Sequence, residues 1–445
     1  VIKILRFSNP QEKRKIFQIL RREIPSGEGY AGGKPAPEKA QKMVAEILAA
    51  VKTGGDEALL EYTFRFDGVK LTPELLSVSA AEIAAARQQV KSGVLDSLQL
   101  IYQRLLDFHQ REQLSSWMKI EEGTWLGQIC LPLERVGFYV PGGTAPLVSS
   151  LMMMAAPARV AGVKEIALCT PPGPRGKINP YLLTMTDVLG IKEIYRIGGA
   201  QAIAALAYGT KTIPRVNKIV GPGNIYVALA KKMVFGEVDI ESIAGPSEIL
   251  IIADDNADPA WVAADLLSQA EHGEDATSIL ITPSPEQAQK VEKEILLQLA
   301  NLSRKAIIEQ SLKKFGAIII SHNLDEAIEG ANLFAPEHLV LMVKDSLNIL
   351  PKIRNAGAIF LGNFSPVAVG DYVAGPNHIL PTGGTARFFS PLGVKDFIKK
   401  SNVIFCTSIA LKKMASVLDI VAKIEGLDAH RKSVQLRLDQ GIKKF

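Results

Sequence analysis

The sequence predicts an α/β protein. Two domains each carry a parallel, Rossmann-like sheet lacking the G-x-G-x-x-G fingerprint, between a helical N-terminal segment and a helical C-terminal tail. Three observations predict this. Short β-rich runs alternate with Ala-rich runs of helical period, the pattern of βαβ units. The chain has 445 residues, room for two or three domains. Aromatic residues make up only 6% and glycines number 36, which suits close packing of helix on sheet.

Residues 1–30 read as a helical segment. In 31–134, "PAPEKAQKMVAEILAAVKTGGDEALLEYTFRFDG" has helical period with a break at Gly54-Gly55. "VLDSLQLIYQRLLDFHQREQL" continues it, and His109 there reads as a surface or boundary residue. From 135 to 247, "RVGFYV", "EIALCT", "EIYRIGG" and "VNKIV" each precede a helical run. This is the second α/β domain, set within a first one formed by 31–134 and 248–390. In the latter stretch "EILIIAD", "TSILIT", "GAIIIS" and "HLVLMV" are strands between helices. The Gly- and Pro-rich "AGAIFLGNFSPVAVGDYVAGPNHILPTGGTARFFS" is too long for an idle loop, so it is read as functional. Residues 391–445 form the helical tail. The two α/β stretches suggest a distant duplication, which one sequence does not establish.

Composition excludes several classes. Net charge is +5 with interspersed signs, so there is no nucleic-acid stripe, and few aromatics means no stacking platform for single strands. Cys130, Cys169 and Cys406 are widely separated without a CxxC, which argues against a disulfide framework or a cysteine zinc site. A reducing cytoplasm is the expected compartment. The most apolar run, "LVSSLMMMAAPARVAGV", is interrupted by Pro157 and Arg159, so no membrane span is expected. The N-terminus lacks the order of a signal peptide.

Three glycine-bearing turns follow strands: "YVPGG" (139–143), "IGGAQA" (197–202) and "GPGN" (221–224). Glycines let backbone approach a phosphate, and a following helix N-terminus favours its charge. Tyr139, Gln201 and Asn224 are their polar side chains. Each turn alone is an ordinary strand-to-helix connection. Three at one end of one sheet suggest a shared nucleotide, without naming it, bound beyond the carboxyl ends of the strands.

Gln269 and His272 lie three apart just before Gly273, on one face of a helix end. A solvated helix end explains them as readily as a metal. Glu337 and His338 are adjacent, two groups able to exchange protons near neutral pH, or else a solvated strand start. Asp371 precedes His378 by seven residues, and Glu425 precedes His430 by five. Nitrogens of His272 and His430, a carboxylate of Asp371 and the amide oxygen of Gln269 would make an N/O metal site, with zinc the first choice. As a metal motif the spacing is dispersed.

Taken together, "FYVPGG", "IGGAQAIAALAYGT", "VGPGNIYV", "AGPSE", "LLSQAEHG", "APEHL", "GDYVAGPNHILPTGGTA" and "EGLDAH" resemble the histidinol dehydrogenase family, in order, from about residue 20 to the end. The resemblance implies oxidation of L-histidinol to L-histidine through L-histidinal, with two NAD⁺ and one water. It implies one zinc per subunit on Gln269, His272, Asp371 and His430, and NAD contacts from Tyr139, Gln201 and Asn224. Ser247, His378 and Glu425 would line the substrate pocket together with the zinc ligands and His338. Glu337 would activate water and His338 would be the acid–base partner. It also implies a homodimer whose tails cross, so that Glu425 and His430 complete the neighbour's site. The rival readings are a relative oxidising another small alcohol, such as a sulfonated one, a zinc hydrolase, and a non-catalytic binding protein. Glu425 and His378 favour a cationic, imidazole-bearing substrate over an anion.

Overall fold

The computed structural model describes residues 2–22, 38–142 and 147–441. Gly143 of the first glycine turn and the expected domain boundary at residue 30 lie outside them. The described strands are β1 (Lys3–Arg6), β2 (Trp117–Glu121), β3 (Thr124–Pro132), β4 (Arg135–Tyr139), β5 (Glu165–Thr170), β6 (Glu193–Arg196) and β7 (Lys218–Val220). They continue with β8 (Asp239–Ile240), β9 (Glu248–Ala253), β10 (Thr277–Thr282), β11 (Ala317–Ile320), β12 (His338–Met342), β13 (Ala358–Leu361) and β14 (Ile398–Cys406).

Two parallel sheets organise the chain, as expected. One has the order β1-β11-β10-β9-β12-β13 and the other β6-β5-β4-β7-β8. Numbered from the first strand of each βα series, both contain the order 3-2-1-4-5 of a doubly wound sheet. The chain thus repeats one winding pattern, with β1 added at an edge. Both sheets are covered on both faces. Ile249 and Ile251 of β9 join one core with Val262, Leu266 and Val291, while Leu250 and Ile252 join the opposite core with Leu20, Ile328 and Phe334. Alternate strand residues point to opposite faces, so a fully apolar strand feeds two cores.

Three elements differ from the sequence reading. The N-terminal segment, expected to be helical, opens with β1, which pairs in parallel with β11. Four residues are too few to show a period, and Asn9 then caps helix Pro10–Leu20 through the amides of Gln11 and Glu12. Helix Glu38–Asp67 was grouped with the sheet of β9–β13. Its buried Val44, Ile47, Val51 and Leu59 instead share a core with helices Gly199–Tyr208 and Ile225–Val234, on the other sheet. Periodicity gives the apolar face of a helix and not its partner. The break at Gly55 is present, at φ +54°. The tail, expected to be all helical, contains β14 after the short 3-10 turn Val394–Phe397, and β14 runs antiparallel to β3 over nine residue pairs. The tail continues as helices Ser408–Ile424 and Asp428–Gly441.

Candidate active site

Two cavities flank the turn Gly221–Asn224. The first, of about 630 Å³, lies at the carboxyl ends of β4, β6 and β7 and is lined by Tyr139, Gln201 and Asn224 together. The three turns therefore converge as the sequence suggested, at the point where the strand order reverses between β4 and β7. Gly221 has φ +135°, and a Cβ there would collide with the carbonyl of Tyr139, so only glycine lets this turn close against β4. The Asn224 side chain accepts from the amides of Tyr226 and Val227, capping helix Ile225–Val234. Helix Gly199–Tyr208 has no side-chain cap, so its N-terminal end faces the cavity with amides to offer. Gly199 N–H donates to the Tyr139 hydroxyl at 3.1 Å. Burial pushes the Tyr139 phenol up to about 12, so it stays protonated. The buried Oε1 of Gln201 has no hydrogen-bond partner among the described residues. An orphaned acceptor beside an uncapped helix end fits a phosphate-bearing ligand that also offers N–H or O–H donors.

The second cavity, of about 230 Å³, is lined by Ser247, Gln269, His272, Glu337, His338, Asp371 and His378. It lies at the amino ends of β9 and β12, since Ser247 precedes β9 and His338 begins β12. One cavity thus lies beyond strand carboxyl ends and the other at strand amino ends. The reason is geometric. Helix Pro259–Ala270 runs back against the strands, so its C-terminal end, with Gln269 and His272, arrives at their amino ends. Pro222 lines this second cavity while Asn224 lines the first, so the cavities adjoin across one turn.

Glu337 and His338 are buried, not a solvated strand start. The backbone of Glu248 holds both. Its N–H donates to Glu337 Oε2 at 2.8 Å, and its carbonyl oxygen lies 3.0 Å from His338 Nδ1. A carbonyl only accepts, so Nδ1 carries a proton and Nε2 faces the cavity. Asp371, from the short helix Val367–Tyr372, stands 3.6 Å from that Nε2. Burial pushes the Glu337 carboxyl up to about 7. Burial opposes charge on His338 as well, but the carboxylates of Glu337 and Asp371 outweigh it and raise the imidazole to about 9. For Asp371 burial is likewise outweighed, here by its contact with His338, and its carboxyl is held below the usual range. Burial drives His378 down to about 4, so it is neutral, and its Nε2 has no described partner.

The His272 ring places Nδ1 3.0 Å from the Ser268 carbonyl, which leaves Nε2 as a lone-pair donor. With the Gln269 amide and the Asp371 carboxylate, one chain presents three N/O donor groups to the cavity. These fit part of a divalent-ion shell. Among the described residues no three His, Cys, Asp or Glu side chains suffice to hold a metal ion alone. Glu425 and His430 are exposed on the tail and line neither cavity. His109, read as a surface or boundary residue, is fully buried against Glu112 and Asn377. His322 is exposed beside Glu326.

Sequence reasoning missed several residues. Arg22 grips Glu248, stacks 3.9 Å over the Phe334 ring and donates to the Phe334 carbonyl at 3.0 Å. Lys231 and Glu241 form a buried pair at 2.6 Å, and Glu241 also accepts from the Gly221 amide. Asp67 lines the first cavity. Each pair joins positions distant in sequence or of ordinary surface composition, so no local pattern marks them.

The sequence and the fold have close counterparts. The histidinol dehydrogenase profile matches residues 33–438. The histidinol dehydrogenase of Syntrophotalea carbinolica is 52% identical over 409 residues, covering 92% of this chain and 95% of that one. That of Aquifex aeolicus is 51% identical over 405 residues, covering 91% and 94%. A crystal structure of histidinol dehydrogenase from Elizabethkingia anophelis superposes with a TM-score of 0.90 at 37% identity, covering 99% of this chain and 98% of that one. The protein is thus an α/β oxidoreductase of amino-acid biosynthesis. It belongs to the histidinol dehydrogenase family.

Proposed function

We propose that the protein oxidises L-histidinol to L-histidine through L-histidinal, using two NAD⁺ and one water, with one zinc ion per subunit. The observation that carries this reading is the pairing of Glu337 and His338 on the Glu248 backbone, in a cavity that adjoins the three-turn pocket. NAD⁺ on Tyr139, Gln201 and Asn224 supplies the hydride acceptor. Zinc on Gln269, His272, Asp371 and a fourth donor, His430 of a second subunit, supplies a template for the imidazole and amine of the substrate.

The chain's own groups divide the proton work. His338 Nε2 faces the cavity and takes the hydroxyl proton of the alcohol. Neutralising Asp371 weakens one of the two carboxylates that hold His338 protonated, which brings its basicity closer to the working range. Glu337 is anchored through Oε2, leaving the rest of the carboxylate to take a proton from water as it adds to the aldehyde. Ser247, His378 and the carboxylates suit a cationic substrate. Enclosure in a small cavity keeps the aldehyde from escaping.

The dimer is part of this reading. Ile409, Val417, Ile420 and Ile424 are exposed along helix Ser408–Ile424, a face that an isolated chain leaves wet. Packed on a second copy, the tail would carry Glu425 and His430 to its neighbour. Three free thiols fit a cytoplasmic location, and among the described residues no helix is long and apolar enough to cross a membrane. No nucleic-acid or membrane partner is proposed.

The test is NADH formed per L-histidinol consumed, before and after chelation and return of zinc. A ratio of about two that is lost with chelator and restored by zinc supports the four-electron reaction and the metal together. Zinc and NAD⁺ binding without turnover of histidinol moves the reading to another alcohol.

A further inference from the structure

We propose that Asp67 selects a dinucleotide whose adenosine ribose is unphosphorylated, its carboxylate accepting from the ribose hydroxyls. The proposal rests on the reading of the first cavity as the NAD site. Asp67 ends helix Glu38–Asp67, just before Gly68 at φ +68°. A carboxylate there meets the negative end of the helix, an unfavourable position. It lines the cavity beside Met43, Ile47 and Phe66, and its buried Oδ2 has no partner among the described residues. Burial alone pushes its carboxyl up to about 6. Among the described residues no basic group compensates it, so they leave an acceptor with nothing to accept from. Gln201 Oε1, in the lining of the same cavity, is in the same state.

The ligand orientation follows from the shared turn. Pro222 faces the second cavity, so the nicotinamide half points that way. The adenosine half is left with the walls built by helix Glu38–Asp67. Met43, Ile47 and Phe66 offer apolar area for a flat base, and Asp67 offers an acceptor for a vicinal diol. A 2′-phosphate would replace that donor by about two negative charges against the carboxylate.

The experiment is calorimetric titration of the zinc-loaded full-length protein with NAD⁺, NADP⁺ and nicotinamide mononucleotide. The parent, Asp67→Asn and Asp67→Ser are compared, each verified as folded by circular dichroism. The expected result is that the parent prefers NAD⁺ over NADP⁺ by about a hundredfold or more. Both variants then lose at least about tenfold of that preference and leave mononucleotide binding unchanged. A preference that stays within about twofold in both folded variants overturns the role of Asp67 while leaving the pocket as an NAD site. Equal binding of NAD⁺ and NADP⁺ by the parent does the same. A parent that binds neither dinucleotide overturns the pocket reading and the role of Asp67 with it.

Discussion

Arg22 and Glu248 meet in a two-point ion pair, 2.5 and 2.7 Å, with both side chains nearly inaccessible. The pair joins Arg22 to the residue whose backbone bonds both Glu337 and His338. Glu248 holds Glu337 and His338 through its backbone, while Arg22 also binds the Phe334 carbonyl, in the segment leading to Glu337. Arg22 is therefore a positioning residue for the Glu337–His338 pair. Arg22→Met strands a buried carboxylate and is expected to cost about 3–5 kcal/mol of stability. The double variant Arg22→Met/Glu248→Leu removes the stranded charge and should regain much of that stability. Its kcat should stay at least about tenfold low with KM little changed, because displacement of reacting groups acts on the chemical step. Thermal melts and steady-state kinetics on both variants check this. Full recovery of kcat in the double variant would reduce the pair to a purely structural role.

Glu337→Gln separates the two oxidations. The amide keeps the hydrogen bond from Glu248 N–H but takes no proton from water. Aldehyde oxidation should fall by about 10²–10⁴-fold, and alcohol oxidation far less. If Glu337 is the base proposed above, the parent's aldehyde rate should rise with pH through about 7, the value to which burial lifts Glu337. Single-turnover measurements from histidinol and from histidinal give the two rates. Equal losses in both would end this division of labour.

Mixed dimers test the shared site. Glu337→Gln and His430→Ala should each form very little histidine alone, and histidine formation is the activity to follow. If the tail completes the neighbour's site, a mixed dimer puts both changes in one site and leaves the other intact. Equal amounts refolded together should recover about a quarter of parent activity, since half the dimers are mixed and each has one good site. Activity no greater than that of the separate variants would place His430 in its own subunit's chemistry or outside it.

Much of this was legible in the sequence. The alternation of strand and helix gave both sheets, and the three glycine turns marked one cavity. Gln269, His272, Glu337, His338, Asp371 and His378 belong to short motifs and do converge on the other. What was hidden lies in partnerships across long stretches of chain. β1 is four residues long and is identified by its pairing with β11 rather than by any period of its own. The face of helix Glu38–Asp67 was visible, but not which sheet it would meet. Arg22, 226 positions from Glu248, carries no local sign of being buried. The placement of the second cavity at strand amino ends depends on the direction of helix Pro259–Ala270, which composition does not encode.

Asp265 gives a test of stability rather than of activity. It is buried in helix Pro259–Ala270, its Oδ2 has no described partner, and burial lifts its carboxyl to about 6. The folded form therefore binds its proton more tightly than the unfolded chain does. Its contribution to stability is most favourable below the ordinary carboxylate value of 3.8 and is lost as pH rises toward 6. Above that the folded chain carries an unpaired buried charge, at a cost on the order of 3 kcal/mol. Asp265→Asn resembles the protonated acid in shape and carries no charge. It should raise the urea midpoint almost as much at pH 6 as at pH 8, by roughly a third as much near pH 4.5, and hardly at all below the ordinary carboxylate value of 3.8. The difference between variant and parent is the quantity to follow, because other carboxylates change with pH in both chains alike. A variant that is less stable than the parent by the same amount at every pH would mean that Asp265 is satisfied in the folded protein and that its burial carries no electrostatic penalty.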